Sequence, residues 1–500
     1  MKNQFFYLQK CQPVSFRNLK IILLGIFFLQ FCLQGMAQKK PNIIYILTDQ
    51  WSTTAFGYAG NKQVKTPNID KFAGDAVNFK NCVSVIPKCT PHRAALLTGR
   101  FPTTTGMFMN DLFLPDSELC MAEIFKNAGY STAYYGKWHL DGHGRLNNVE
   151  PARRQGFDYW KALECSHEYN KMPYYDNDDP NLKYWNQYSP FAIEEDVEKY
   201  LEKASGDNNP FLLFIALGTP HFSKDPAPEK YQAMYPPGDL KLSPNVIEGK
   251  FPGLRKELQG YYAHCTATDE AIGNLINKIK DLGLYDNSII IFTSDHGEMM
   301  GSHGVRPKEK QVAWDESAKV PFLIRYPGIG RNAGKATLTP LNTPDILPTM
   351  LSLTNVPIPK TIEGENIADV VKHPIMKKDR AVMFMSMYAV APTKFSEYRA
   401  IKTNRYTYVK SPTEAIMLFD NIRDPYEMNN LVGKVDYANL QNKMDKILQK
   451  KLKDIGDTNF KSYRYYLDKF GFEGIGRDGQ EIPYSLDPNK IMKVYSPHKK

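Results

Sequence analysis

Four strongly apolar runs recur along the first two-thirds of the chain, and helical patterns separate them. The runs are NIIYILTD at 42–49, STAYYGKWH at 131–139, PFLLFIALGTPH at 210–221 and NSIIIFTSDHGE at 287–298. The segment LCMAEIFKNAG has the apolar spacing of an amphipathic helix closed by Gly129, and a longer helix is predicted over 257–282. Apolar runs that alternate with helices predict an α/β fold, in which helices cover both faces of a large, mostly parallel sheet.

The pattern changes after about residue 374. There YRAIKTNRYTYVK (398–410) alternates in the manner of an exposed antiparallel strand, and a charged amphipathic helix is predicted over 437–455. We therefore expect two domains. An N-terminal domain over 38–374 carries the large sheet, and a smaller C-terminal α+β domain over 375–500 contains an antiparallel sheet and packs against the first.

The N-terminus has the layout of an export signal. Residues 1–20 include four basic residues and no acidic one, the apolar run IILLGIFFLQFCL (21–33) follows, and small residues stand at Gly35 and Ala37. This order predicts a signal peptide over 1–37 and an exported protein, periplasmic or secreted, with no stable membrane span after cleavage. The alternative is an uncleaved membrane anchor, although the run is shorter than the about 20 residues of a spanning helix.

Charge and cysteine content narrow the function classes. The chain holds 63 basic and 54 acidic residues, and four of the basic residues belong to the signal segment. The remaining excess is small, so we expect no nucleic-acid partner. Outside the signal there are five cysteines, at 82, 89, 120, 165 and 265. An odd count in an exported protein leaves at least one of them without a disulfide partner, and the absence of CxxC spacing argues against a structural zinc site.

Polar residues follow each of the four predicted strands. Ligands of open α/β sheets bind outside the carboxyl ends of the strands, so we expect these residues to converge on one cleft. Two carboxylates, an amide and an imidazole among them suit a hard divalent cation, with calcium as the first choice and magnesium, manganese or zinc as alternatives. A second interpretation is that the two carboxylates cap helices. The strand-end residues are Asp49 and Gln50, Lys137 and His139, His221, and Asp295 and His296.

A second constellation surrounds Cys89, in the segment KCTPHRAALLTGR (88–100). Pro91 suits the first turn of a helix, whose unpaired N–H groups favour an anion at Cys89, and Arg93 adds a fixed positive charge one turn later. The expected ligand is a tetrahedral oxyanion, sulfate or phosphate. An inert buried cysteine is the alternative. Further cations or donors for such an anion are Lys137, His139, His221 and Lys310.

The stretch CTPHRAALLTGR resembles the signature of the formylglycine-dependent sulfatases, in which Cys or Ser is followed at fixed spacing by Pro, Arg and a Thr-Gly-Arg ending. The resemblance extends from PNIIYILTDQ to LFDNIRDPYEMNNL, nearly the whole mature chain. It implies an alkaline-phosphatase-like fold with a smaller C-terminal domain. It also implies that a maturation enzyme oxidises Cys89 to formylglycine (3-oxoalanine). One hydroxyl of the hydrated aldehyde would attack sulfur, and the other would later expel sulfate.

The matching motifs assign the family's roles to this sequence. Arg93 would steady the formylglycine. GKWH gives Lys137 to hold the sulfate group and His139 to take up a proton when sulfate is expelled. TPH gives His221, a sulfate contact and general acid for the leaving oxygen. The resemblance also assigns a metal shell completed by residue 89, whose other members come from TDQ and SDHGE: Asp49, Gln50, Asp295 and His296.

The resemblance leaves two points open. KQVAWDES gives Lys310 as the second sulfate-binding lysine, with Lys308 as the alternative. Many family members have Asp where Gln50 stands and Asn where His296 stands, and the Gln/His pair also occurs in relatives that cleave phosphonate monoesters and phosphodiesters. We therefore expect an exported sulfatase acting on a sulfated carbohydrate. The alternatives are a formylglycine-dependent phosphodiester or phosphonate hydrolase, and a non-catalytic glycan-binding protein whose Cys89 is not converted.

Contacts to the sugar are less well defined by the sequence. The aromatic segment YYDNDDPNLKYWNQY (174–188) fits either a sugar subsite or ordinary packing. Five basic residues of the loops are candidate substrate contacts, and each fits a solvated loop position equally well. They are His143, Arg145, Arg153, Arg154 and His167.

Overall fold

The computed structural model describes residues 39–222, 225–376, 378–387 and 397–470, and it has strands in three sheets. The strands are β1 (Asn42–Asp49), β2 (Val77–Phe79), β3 (Cys82–Val83), β4 (Ser131–Lys137), β5 (Tyr159–Leu163), β6 (Met172–Asp176), β7 (Lys183–Trp185), β8 (Phe211–Pro220), β9 (Ser288–Ser294), β10 (Phe322–Arg325), β11 (Ala336–Thr337), β12 (Leu341–Asn342), β13 (Val382–Ser386), β14 (Tyr398–Lys402), β15 (Tyr406–Lys410) and β16 (Ala415–Asp420). The α-helices are Pro67–Asp75, Cys89–Thr98, Pro102–Thr105, Met121–Asn127, Ser189–Ser205, Glu229–Gln232, Leu254–Asp281, Asp315–Ala318, Thr343–Leu353, Ala368–Lys372, Ala438–Asp454 and Tyr463–Phe470.

The four apolar runs form the adjacent central strands of the large sheet. Its order is β11-β2-β10-β9-β1-β8-β4-β5-β6-β7. The stretch from β9 to β5 is parallel throughout, whereas β10, β6 and β7 pair antiparallel with their neighbours. The carboxyl ends of β9, β1, β8 and β4 therefore lie at one edge, as the sequence predicts.

Both faces of the central strands are buried, which explains their unbroken apolar sequence. In β1, Ile43 and Tyr45 pack on one face with the helices Cys89–Thr98 and Thr343–Leu353. Ile44 packs on the opposite face with residues of the helices Ser189–Ser205 and Leu254–Asp281. The predicted α/β architecture, with helices on both faces, is thus confirmed.

The C-terminal part contains the expected antiparallel sheet, in the order β13-β14-β15-β16. The prediction of one exposed strand over 398–410 is wrong, because the segment forms β14 and β15 and most of their residues are buried. A turn separates them, in which Thr403 N donates to Tyr406 O over 2.9 Å and Tyr406 N donates to Thr403 Oγ1 over 2.8 Å. The helix Ala438–Asp454, predicted over 437–455, covers this sheet with its apolar side.

The structure does not test some of the sequence predictions. Residues 1–38 fall outside the described residues, so the signal peptide and its cleavage stay predictions, as do the domain boundaries at 37 and 374. Within the described ranges, no helix combines the length and the apolar composition needed to cross a bilayer.

A buried ion pair attaches the C-terminal segment to the small sheet. Arg399 Nε donates to Asp457 Oδ2 over 2.5 Å, and both side chains are fully buried. The substitution Asp457→Asn leaves the guanidinium without a counter-charge, so we expect the free energy of unfolding to fall by about 3–5 kcal/mol. Urea unfolding followed by circular dichroism measures this loss. The control Glu248→Gln removes one member of an exposed pair with Arg255 and is expected to cost about 1 kcal/mol or less; equal losses in both variants would contradict the argument.

Candidate active site

Cys89 and all the strand-end residues but one meet at the carboxyl edge of the central strands; the exception is His139, whose ring contacts Asp111. Cys89 begins the helix Cys89–Thr98 and is 1% exposed. Its Sγ lies 3.3 Å from His296 Nε2, 3.7 Å from Asp49 Oδ1 and 3.9 Å from Lys310 Nζ. The convergence expected from four separate segments of sequence is therefore a geometric fact of the fold.

Four of the residues form a group that could hold a metal ion. One ligand atom from each lies within 4.8 Å of the others. His296 Nδ1 contacts Gly297 O over 2.9 Å and donates to it, so Nε2 presents a lone pair that lies 3.5 Å from a carboxylate oxygen of both Asp49 and Asp295. Burial lowers the pKa of His296 to about 4, which keeps the imidazole in the neutral form that binds cations. Electron-pair donors facing one another in a buried site fit a divalent cation. The group is Asp49, Cys89, Asp295 and His296.

Gln50 belongs to the same cluster and its amide is oriented by its neighbours. Its backbone has a left-handed conformation, φ 61°, and its N–H donates to Asp295 Oδ1 over 3.1 Å. Side-chain Nε2 donates to Glu298 Oε2 and to Lys308 O. Oε1 is therefore directed into the cluster, where it accepts from Lys310 Nζ over 2.9 Å.

Glu298 lies in the SDHGE motif and is a further candidate residue of the site, to which the sequence assigns no role. It is buried, and its Oε1 accepts from the backbone N–H groups of Met300 and Lys308, each over 2.8 Å. Burial raises the pKa of Glu298 to about 7. Through these contacts Glu298 connects Gln50 to the loop that carries Lys310.

Buried cations neutralise the two carboxylates. Lys137 Nζ lies 2.6 Å from Asp49 Oδ2, and Arg93 Nη2 donates to Asp295 Oδ2 over 3.1 Å. Burial alone would raise the pKa of Asp49, but Lys137 and further cations outweigh it and hold that pKa well below its ordinary value. Gly136 precedes Lys137 with φ 94°, and a Cβ there would lie 2.1 Å from the carbonyl oxygen of Ala216. Only glycine therefore lets β4 pair with β8 where Lys137 leaves the strand.

Neighbouring charges lower the pKa of the Cys89 thiol. Burial and the Asp49 carboxylate raise its pKa, but the ammonium groups of Lys137 and Lys310 outweigh them, and the pKa falls below its ordinary value. The start of a helix also favours negative charge at this position. All five cysteines of the described residues are free thiols, and Cys89 is the member of that set that enters the candidate metal group.

His221 and Lys310 form the opposite wall. His221 Nε2 lies 2.9 Å from Lys310 Nζ, and His221 Nδ1 lies 2.8 Å from Phe222 O. Loss of hydration and the Lys310 ammonium hold the pKa of His221 well below its ordinary value. The ring of His167 stacks on that of His221 with centroids 4.1 Å apart. Lys310 enters the cluster. The side chain of Lys308, in contrast, is half-exposed, and its Nζ lies 3.2 Å from Glu257 Oε1.

The remaining candidate contacts are held by acidic or aromatic neighbours. His143 and Arg153 both contact Asp141, and the Arg153 guanidinium also covers the Phe113 ring at 3.2 Å. Arg154 is buried and donates to Val149 O over 3.0 Å, away from the cluster.

The aromatic segment contributes to packing at the edge of the sheet. Tyr174 in β6 stacks on Trp185 in β7 with ring centroids 4.0 Å apart. Trp185 Nε1 donates to Asp196 over 2.9 Å, and the Tyr188 hydroxyl lies 2.7 Å from His264 Nδ1. These contacts favour the packing interpretation for Trp185 and Tyr188.

A buried cysteine at a helix start, beside a candidate metal group and two ammonium groups, is an arrangement suited to a hydrolase that acts on esters of an anionic group. Residues 41–356 match the Sulfatase family, and residues 301–454 match the family described as N-sulphoglucosamine sulphohydrolase, C-terminal. The chain belongs to the sulfatase family and is a sulfuric ester hydrolase with the alkaline-phosphatase-like fold of that family.

Individual relatives agree with this assignment. The chain is 56% identical over 459 residues to an ulvan-active sulfatase of Formosa agariphila, covering 92% of this chain and 89% of the relative. A solved structure from work on glycosaminoglycan metabolism by Bacteroides thetaiotaomicron is 28% identical, with a TM-score of 0.75 and coverage of 86% and 99%. Another, in complex with its substrate D-glucosamine-2-N,6-O-disulfate, is 25% identical, with a TM-score of 0.74 and coverage of 84% and 99%.

Proposed function

We propose that the protein is an exported, formylglycine-dependent sulfatase that removes sulfate from ulvan-derived saccharides with the help of one divalent metal ion, calcium by preference. The observation that carries this proposal is the position of Cys89. It lies at a helix start, between the candidate metal group and the Lys137 and Lys310 ammonium groups. Export rests on the signal-like sequence of residues 1–37. The substrate class follows the ulvan-active relative.

Each wall of the cluster has a task in this reaction. Lys137 and Lys310 hold the sulfate oxygens and offset negative charge that develops on the transferred group, usually the largest catalytic contribution. Arg93 donates a hydrogen bond to Asp295 and thereby fixes the position of the Asp295 carboxylate, which lies next to residue 89. Asp49, Gln50, Asp295 and His296 would hold the metal ion, which would supply further charge stabilisation. Conversion of Cys89 to formylglycine by a maturation enzyme, followed by addition of water to the aldehyde, would supply the nucleophilic hydroxyl.

His221 is the proposed general acid. In the free protein its low pKa leaves it neutral, because burial disfavours the charged form and Lys310 repels a second positive charge. A sulfate ester bound between the two side chains cancels this repulsion and raises the pKa of His221. The imidazolium then protonates the leaving oxygen, a contribution of about 10²–10⁴ in rate.

The orientation of Gln50 leads to a prediction about metal affinity. Replacing Glu298 with Gln removes the carboxyl oxygen that accepts from Gln50 Nε2 and so directs Gln50 Oε1 into the cluster. We expect the dissociation constant for Ca²⁺, measured by isothermal titration calorimetry, to rise by about 10–100-fold, as for other residues that orient metal ligands. The matched control Glu257→Gln removes an exposed partner of Lys308 and should leave Ca²⁺ affinity unchanged. Unaltered affinity in Glu298→Gln would contradict the role assigned to Glu298.

The proposed function is tested with mature protein co-produced with a formylglycine-generating enzyme. Free sulfate is measured from ulvan oligosaccharides, a panel of other sulfated saccharides and matched phosphodiesters. We expect sulfate release from the ulvan oligosaccharides and little phosphodiester cleavage. Preferred phosphodiester turnover would favour the alternative hydrolase. Mass spectrometry of residue 89 tests conversion separately, and an unconverted but glycan-binding protein from the native host would favour the non-catalytic alternative.

A further inference from the structure

An acidic residue outside every motif contacts His139. Asp111 Oδ1 lies 2.9 Å from His139 Nε2, in a pair whose histidine is 1% exposed and whose aspartate is 14% exposed. His139 Nδ1 is also buried and has no hydrogen-bond partner among the described residues. The two ring nitrogens therefore have different environments, one in contact with a carboxylate and the other buried without a hydrogen-bond partner in the described part of the chain.

The backbone holds this pair beside Cys89. Thr90, the next residue after Cys89, donates its hydroxyl to His139 O over 2.9 Å and accepts from Asp111 N over 3.3 Å. Asp111 and His139 both have left-handed backbones, φ 59° and φ 62°. Such conformations are uncommon outside glycine and are maintained where the surrounding structure requires them.

A second contact keeps the Asp111 carboxylate charged and in place. Arg145 Nε lies 3.3 Å from Asp111 Oδ1, and Arg145 Nη2 lies 3.4 Å from Asp111 Oδ2. Burial raises the pKa of Asp111, but the hydrogen bond from His139 and the charge of Arg145 outweigh it and bring that pKa to about 2. Arg145, a candidate sugar contact in the sequence, thus binds Asp111 in the structure.

We propose that Asp111 is the positioning residue of His139: its carboxylate accepts the Nε2–H hydrogen bond and fixes the imidazole tautomer in which Nδ1 carries the lone pair directed at the reacting group. This inference rests on the proposed function, within which His139 keeps the role that the family resemblance implies and takes up a proton when sulfate is expelled. An acceptor carboxylate of this kind selects the tautomer and stabilises the imidazolium formed when Nδ1 takes up a proton. Asp111 itself stays ionised and does not touch the substrate.

The first test measures the tautomer without any turnover. Protein with unconverted Cys89 is labelled with ¹⁵N-histidine, and long-range ¹H–¹⁵N spectra are recorded, with His139→Gln to assign the signals. We expect protonated Nε2 and bare Nδ1 at neutral pH in the unsubstituted protein. Asp111→Gly removes the acceptor while suiting the left-handed backbone, and it should give a mixture of tautomers. A single Nε2–H tautomer in Asp111→Gly would overturn the inference.

The second test separates positioning from sugar binding. His139 acts after the alcohol has left, so slowing its step lowers kcat and KM together and leaves kcat/KM almost unchanged. We expect Asp111→Gly to lower kcat about 100-fold in this manner. Asp111→Asn keeps a neutral acceptor and should recover at least about 5-fold of that loss. An increase in KM at constant kcat would instead identify Asp111 as a substrate contact and overturn the inference.

Two controls make the outcomes distinguishable. Asp141→Asn changes a carboxylate that also contacts a histidine and an arginine, His143 and Arg153, but not His139, and it should retain its kcat. His139→Ala should show the same pattern as Asp111→Gly, and the double variant should lose no more than His139→Ala alone. If His139→Ala retains its kcat, the proposed role of His139 fails. The tautomer spectra still decide the inference on Asp111 independently.

Discussion

Replacing Cys89 with alanine is expected to abolish sulfate release. The side chain lies where the candidate metal group, the helix start and two ammonium groups meet, so its removal deletes the only proposed nucleophile of the cluster. Enzymes typically accelerate their reactions at least about 10⁶-fold over the uncatalysed reaction, and most of that acceleration is lost with the nucleophile. We expect kcat/KM on the best saccharide to fall by at least about 10⁵-fold, measured as free sulfate by ion chromatography.

The matched control for this variant is Cys165→Ala. Cys165 is also a buried free thiol, and it lies close enough to Lys137 for the ammonium to influence its pKa. Both variants remove the same atom from the interior, so their thermal unfolding midpoints should shift by a similar few degrees. Activity should survive in Cys165→Ala alone. Sulfate release by purified Cys89→Ala would refute the assignment of the nucleophile.

The second large effect is expected for Lys137→Met. This substitution keeps most of the side-chain volume and removes a buried ammonium 2.6 Å from Asp49 Oδ2. Loss of one charged donor to the transferred group costs about 10²–10³ in rate. We expect kcat/KM for sulfate esters to fall by that factor, with the larger part of the loss in kcat.

Lys161→Met is the control for this effect on the neighbouring strand β5. Lys161 forms an ion pair with Asp196 at 3.0 Å and lies outside the cluster, so kcat/KM should stay within about 3-fold while stability falls by about 1 kcal/mol. A Lys137→Met enzyme with nearly normal kcat/KM would show that Lys137 only neutralises Asp49. In that case the sulfate group would depend on Lys310 for its positive charge.

The central part of the fold was predictable because of how it is buried. Strands β1, β4, β8 and β9 are covered on both faces and therefore leave continuous apolar runs in the sequence. Short strands such as β11 and β12 have two residues each, too few for any periodicity. The hairpin at 398–410 was missed because its turn contains Thr403 and Asn404, without the glycine or proline that usually marks a turn.

The candidate site was likewise predictable from the sequence only in part. Residues that directly follow a predicted strand, such as Asp49 and Asp295, could be located because parallel strands end at one edge. Asp111 follows no strand, and its contact with His139 depends on left-handed backbones that no local pattern indicates. Glu298 lies inside the SDHGE motif, but its contact with Gln50 depends on the folding of two distant segments of the chain and cannot be read from the motif.

The arrangement of the central strands has a consequence for engineering. Most of the proposed catalytic groups stand at the ends of strands buried in the interior, whereas the segment between Leu140 and Gly156, most of whose residues are at least partly exposed, connects β4 to β5. Most of this segment can therefore be exchanged without altering the strand ends. Such an exchange with a relative should change the choice of saccharide and keep the rate on a small, generic aryl sulfate, provided that Arg145, which holds Asp111, is retained.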